Sequence, residues 1–117
     1  MSINVNVEFR ARDANRAVDR GDLIIVVDAL RFGSSVVNAL ANGAKIVIPT
    51  KSLKEAHRLH LAHPDWLLAG ERRGVRPRGF DFGNSPLEFI REKISEKTLI
   101  FTTTSGTLAL TRSKTTK

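Results

Sequence analysis

The 117 residues include no cysteine, which excludes a disulfide framework, a thiolate zinc site and a cysteine nucleophile. Tyrosine is absent and the single tryptophan, Trp66, sits inside an apolar run. Two of the aromatic residue types on which single-stranded nucleic acids stack are therefore absent or placed in an apolar run. No apolar run approaches the roughly 20 residues that cross a bilayer. The opening MSINVNVEFRARD has no basic-then-apolar leader pattern, so a cytoplasmic protein without a membrane partner is expected.

What is present describes an ordinary globular domain: 41% of residues are hydrophobic and 26% charged, in the range of soluble folds. Residues 1–117 read as one domain, large enough to bury roughly two thirds of its unfolded surface. Nineteen Lys and Arg against twelve Asp and Glu give a net charge of +7, which suits acidic small molecules or nucleic acid.

Apolar patterning predicts an alternation of strands and helices. Ile3, Val5, Val7 and Phe9 alternate with polar residues, the period of a strand with one wet face. Leu23–Val27 is a continuous apolar run typical of a strand covered on both faces, followed by Val36, Val37 and Leu40 at helical spacing with Gly43 as the stop. Ile46–Ile48 is a further strand ending at Pro49. Ser52 and Glu55 open a helix to about His63 through a capping box, and Trp66–Ala69 and Thr98–Phe101 are the remaining inner strands. Ser85, Pro86 and Glu88 signal another helix start, carrying Leu87, Phe89 and Ile90. The pattern predicts an α/β domain with a largely parallel sheet and helices on both faces. After the last strand, Thr107–Leu110 begins a helix, and Thr111–Lys117 offers no apolar residue. The expectation is a truncated version of a larger α/β/α domain, its final covering helix cut short and Leu99 and Phe101 poorly protected on one face.

The longest unpatterned stretch is Gly70–Pro86, GERRGVRPRGFDFGNSP. Glycines permit close backbone approach to a ligand, and guanidinium groups grip phosphate or carboxylate through a planar fork. Arg31, Arg72, Arg73, Arg76 and Arg78 are candidate donors, and Glu71 and Asp81 candidate cation ligands. In doubly wound sheets ligands bind outside the carboxyl ends of strands. Asp28 follows the first inner strand, Glu71 the third, and Thr102–Ser105 the fourth, so separate segments deliver chemistry to one sheet edge. Asp28 is a hard oxygen ligand suited to magnesium, and Gly33-Ser34-Ser35 stands at a helix opening suited to phosphate. The aspartate-dependent haloacid-dehalogenase pattern is excluded because Leu30 stands where a second Asp is needed, and no Walker A motif occurs. His57, His60 and His63 share one helix without a carboxylate partner and are expected to be boundary residues.

In order along the chain, DALRFGSS, NALANGAK, AGERRG, GFDFGNSP and TTTSGT resemble the 2-phosphosulfolactate phosphatase family of coenzyme M biosynthesis. The resemblance covers about residues 22–110 and only the N-terminal half of a typical family member. Two departures stand out: Phe32-Gly33 interrupt the family's loop after Arg31, and Ser105 replaces a common Asn. The resemblance implies magnesium-dependent hydrolysis of the phosphate ester of 2-phospho-3-sulfolactate, with Mg2+ as cofactor and a small anionic phosphorylated metabolite as partner. It further implies Asp28, Arg31, Glu71 and Arg72 as catalytic residues. Substrate contacts would come from Ser34, Ser35, Arg73, Asn84, Ser85, Thr103, Thr104, Ser105 and Gly106, and the metal ligands would be Asp28, Glu71 and Asp81. A metal-bound water or Asp28 itself could be the nucleophile, and the residues leave both routes open. The competing expectations are an inactive remnant that self-associates through the face its lost half would cover, and a basic nucleic-acid-binding module.

Overall fold

The computed structural model describes residues 1–113; the last part of the polar tail, residues 114–117, lies outside the described residues. Three parallel strands form the sheet: β1 (Ile46–Thr50), β2 (Leu67–Gly70) and β3 (Thr98–Thr102), in the order β1-β3-β2. The central β3 aligns Ile100 with both Ile48 and Leu68. Its side chains alternate between two cores. Leu99 and Phe101 join Ala69, Phe82, Phe89 and Ile94 on one face, and Ile100 joins Leu68, Phe80 and Ala56 on the other. Helix α1 (Ala14–Arg20) precedes the sheet in the chain; α2 (Phe32–Ala41), α4 (Arg91–Ile94) and α5 (Gly106–Arg112) contribute to the first face, and α3 (Leu53–Ala62) covers the second. The expected α/β fold with helices on both faces of a parallel sheet is what the chain adopts.

Local signals place several boundaries. Ser52 Oγ accepts from Glu55 N at 3.1 Å and opens α3; the reciprocal bond goes to Lys51 N, at 2.9 Å from Glu55 Oε2, one residue earlier than a regular box. Gly43 stands at φ +95° just beyond the end of α2, a left-handed stop that glycine adopts freely. Pro49 does not end β1; the strand continues to Thr50. With β3 as its only neighbour among the described residues, β1 is an edge strand and tolerates a proline.

Four expectations are corrected. Residues 3–9 and 23–27 belong to no strand, because neither finds a neighbour to pair with, and Leu23, Ile25 and Val27 are 81–86% exposed. Leu99 and Phe101 are fully buried, since α5 does form and Phe32, Phe89 and Leu110 close over them. In α2 the inward residues are Phe32, Ser35 and Ala39, while Val37 and Leu40 are exposed. The helix expected after Ser85 breaks into a single 3-10 turn (Pro86–Glu88) and α4, which buries Phe89 but leaves Leu87 outside.

Phe89 lies between the rings of Phe82 and Phe101, at centroid distances of 5.4 and 5.6 Å. Phe89→Ala is expected to cost about 3–5 kcal/mol of stability. Leu87→Ala, at a side chain that is 86% exposed, should stay within about 0.5 kcal/mol. Urea unfolding of the two variants measures both.

Candidate active site

Beyond the carboxyl ends of β2 and β3 lies a cleft of about 250 Å³, lined by Asp28, Leu30, Arg31, Phe32, Glu71, Arg73, Gly74, Asn84 and Thr103 to Gly106. Its floor begins where Gly70 ends β2 at φ +139°, so close to Thr102 O that any Cβ would collide with it. The next residue, Glu71, is 8% exposed and is held by three donors. Gly74 N donates to Oε2 at 2.7 Å, Thr104 N to Oε1 at 2.7 Å, and Thr104 Oγ1 to Oε2 at 3.0 Å. Burial opposes ionisation of this carboxyl; the two backbone N–H groups, the Thr104 hydroxyl and the Arg72 charge together outweigh it and hold the pKa below the ordinary value.

The same bonds shape the loop. Arg72 and Val75 close a tight turn by exchanging backbone hydrogen bonds of 2.9 and 3.1 Å. Within it Arg73 takes φ +52°, a left-handed conformation uncommon for a side-chain-bearing residue, while its N–H donates to Thr104 Oγ1 at 3.3 Å. Phe80 and Phe82 anchor the far side of the loop in the two opposite cores.

On the other wall, Asp28 O accepts from Gly33 N at 2.8 Å and Ser34 Oγ donates to Ala29 O at 2.6 Å, shaping the entry to α2. Phe32, which departs from the family's loop pattern, is buried edge-on against Phe101 at 5.3 Å. A Cβ at Gly106 would strike both the Phe32 ring and Asp28 Oδ2, so only glycine lets Asp28 and Phe32 pack this closely on the start of α5. Among the described residues the Asp28 carboxylate and the Arg31 and Arg73 guanidinium groups have no hydrogen-bond or ion-pair partner.

Of the expected site residues, Asp28, Arg31, Glu71, Arg73, Asn84, Thr103, Thr104, Ser105 and Gly106 meet at this cleft. The others do not line it. Arg72 turns to the Glu71 carbonyl (2.9 Å) and Thr102 Oγ1 (2.7 Å) and braces the floor. Ser35 is buried with its hydroxyl on Asn84 O at 3.1 Å, and Ser85 N bonds Glu88 Oε1 at 3.3 Å in a capping box. Asp81 Oδ2 accepts from Leu68 N at 2.8 Å, which holds it beside the body of β2 and away from the cleft. Leu30 was not expected in the lining; Phe32 was expected to alter the pocket floor, and Gly74 was read as one of the loop glycines that allow close approach to a ligand. The three histidines are accounted for by packing. His57 meets Phe80 edge-on, His60 Nδ1 lies 2.7 Å from Trp66 O, and His63 stacks on Trp66. Among the described residues no three His, Cys, Asp or Glu side chains cluster as metal ligands, and no helix is long and apolar enough to cross a membrane.

A carboxyl with a depressed folded pKa stabilises the fold above its unfolded value, here 4.5, and loses that contribution as pH falls through the folded value. Glu71→Gln is therefore expected to destabilise the domain by roughly 1.5–3 kcal/mol at neutral pH, since charged hydrogen bonds are lost. The gap to the wild type should close as pH drops below 4.5. Thermal unfolding of both proteins across that range measures it, and a gap independent of pH would show that the charge is not what matters.

Known proteins share much of this sequence. A family model described as 2-phosphosulpholactate phosphatase matches residues 9–117. A probable 2-phosphosulfolactate phosphatase of Clostridium beijerinckii is 38% identical over 113 residues, covering 95% of this chain and 48% of its own length. Namesakes from Thermotoga petrophila and Thermotoga maritima are 50% and 51% identical, covering 75% and 71% of this chain and 38% and 36% of their own lengths. The chain thus spans half or less of the curated relatives it matches. With the match running through both walls and the floor of the cleft, the chain belongs to the 2-phosphosulpholactate phosphatase family.

Proposed function

We propose that the cleft takes part in magnesium-dependent hydrolysis of the phosphate ester of 2-phospho-3-sulfolactate, yielding 3-sulfolactate and phosphate. The observation that carries this reading is a carboxylate, Asp28, that shares one small cleft with two arginines, Arg31 and Arg73, none of the three having a protein partner among the described residues. Unpaired guanidinium groups suit a substrate bearing phosphate, sulfonate and carboxylate. Of the other arginines, Arg10, Arg16 and Arg20 pair with Glu8, Asp13 and Asp22, Arg72 faces inward, and Arg76 and Arg112 donate to backbone carbonyls. Arg12, Arg58, Arg78 and Arg91 are unpaired among the described residues but do not line the cleft. Two unpartnered guanidinium groups meeting at one small cleft favour a small anionic metabolite over nucleic acid, which would call for a basic stripe along a face.

The donor chemistry suits magnesium. This ion commonly takes one or two carboxylates and keeps water and substrate phosphate in its other positions. Asp28 is free, and Glu71 Oε1 accepts a single hydrogen bond, leaving it a lone pair; Asp81 is committed to Leu68 N and is not among the proposed ligands. When bound there, magnesium would polarise the phosphoryl oxygens and lower the pKa of a water. Arg31 and Arg73 hold the substrate's anionic groups, Thr103 and Thr104 fix the wall, and Phe32 limits water at the floor.

Asp28→Asn should lower magnesium-dependent phosphate release by about a hundredfold or more in a family member of full length. In the 117-residue chain turnover is expected to be far weaker, because sites assembled from several strand ends lose roughly a hundredfold for small misplacements. Phosphate release with magnesium and with a chelator tests the assignment; an Asp28→Asn enzyme of unchanged rate and metal dependence would remove Asp28 from it.

We also propose that the chain self-associates through residues 23–27. The stretch is alternately exposed and takes part in no backbone hydrogen bond among the described residues, as an unpaired template for strand pairing would be. Light scattering should give a mass of at least two copies, and Ile25→Lys should return it to one. A monodisperse wild-type monomer would sink the idea.

A further inference from the structure

Thr104 has no donor left to give a ligand. Its N–H goes to Glu71 Oε1 at 2.7 Å and its hydroxyl to Glu71 Oε2 at 3.0 Å. Ionised phosphate, sulfonate and carboxylate offer only acceptors. The substrate contact that the family resemblance implies for Thr104 is therefore closed to it, although the residue lines the cleft. Its hydroxyl oxygen is used within the protein instead, as the acceptor for Arg73 N at 3.3 Å.

Arg73 is a residue that needs holding. Its φ of +52° is a left-handed conformation that persists in a side-chain-bearing residue only where the surroundings enforce it. Arg72 and Val75 close the turn around it, and Gly74 is tied to Glu71 Oε2. The bond to Thr104 is the only hydrogen bond that Arg73 itself makes among the described residues, and its guanidinium stays free in the cleft lining. We propose that Thr104 is a positioning residue: braced on Glu71, its hydroxyl fixes the Arg73 backbone and so presents the Arg73 guanidinium to an anion, without touching the substrate. The proposal rests on the phosphatase reading of the cleft. Without the hydroxyl, Arg73 leaves the left-handed region for part of the time, and the apparent affinity falls with the fraction still competent to bind.

The test is a double-mutant cycle read by calorimetric titration of the 117-residue chain with 3-sulfolactate. Thr104→Val, which removes the hydroxyl and keeps the shape, should weaken binding about fivefold or more. Thr104→Ser keeps the hydroxyl and should stay within about twofold of the wild type. Arg73→Gly, at a φ that glycine adopts freely, removes the guanidinium and should weaken binding about tenfold or more. In that background Thr104→Val should cost less than about twofold further, because the two residues act as one. Losses that multiply would mean that Thr104 reaches the anion on its own, and a serine variant as weak as the valine one would mean that the hydroxyl is not what matters. Either result overturns the role of Thr104 and leaves the anion site standing. A wild type that does not bind would remove the phosphatase reading and this proposal together; an Arg73→Gly chain that binds as well would remove Arg73 from the anion site and the proposal with it. Should Thr104→Val not fold, amide hydrogen exchange of the wild type decides: a protected Arg73 N–H supports the role, and one exchanging like a free loop amide overturns it.

Discussion

Glu71 holds the site together. Its carboxylate gathers the N–H of Gly74, the N–H of Thr104 and the hydroxyl of Thr104, groups that belong to the loop after β2 and the segment after β3. Each is a charge-assisted bond in a half-dry place, where such bonds are stronger than their neutral counterparts. Through Gly74 the carboxylate fixes the turn that presents Arg73, and through Thr104 it fixes the approach to Gly106, on which Asp28 and Phe32 pack. Neutralising Glu71 would loosen two walls at once. A residue placed this way can serve the fold and still leave one lone pair of Oε1 to the cleft, so its structural and proposed metal roles do not compete.

The sheet shows why a short continuous apolar run can be read for class and not for pairing. Thr98–Thr102 and Leu23–Val27 are both short runs of strand-favouring residues, yet the first is buried throughout and the second presents alternate residues to solvent. The difference lies in neighbours: β3 has a strand on each side, while residues 23–27 have none among those described. Pairing is a property of distant segments and leaves no mark in the run itself.

Local rules fared better wherever the physics is local. The Ser52–Glu55 cap, the left-handed Gly43 and the alternation of strand and helix could be read directly, and so could the delivery of Asp28, Glu71 and Thr103–Gly106 to one edge. Asp28 arrives there without the strand expected to carry it, because the Gly33 N–H on its carbonyl and the bare Gly106 fix its place. Asp81 was unreadable for the opposite reason. Its sequence neighbours are those of a ligand loop, and only the fold reveals that Leu68 N claims its carboxylate. Phe80 and Phe82 were equally hidden, since two aromatic residues flanking an aspartate are too short a pattern to announce that they enter different cores.

That aromatic pair has a kinetic side. With Glu71 fixed at one end and Phe80 and Phe82 seated on opposite faces of the sheet at the other, the loop is tethered at both ends and its motion is confined to the stretch between. Arg73 and Arg78 are both exposed, the first beside the Glu71 tether in the cleft lining, the second farther along the loop. The two would then serve different moments of an encounter. A guanidinium in solvent acts at long range, raising the rate at which small anions are captured and losing that influence as ionic strength rises. One in the lining of the cleft also touches the anion once it has arrived, and so governs how long it stays.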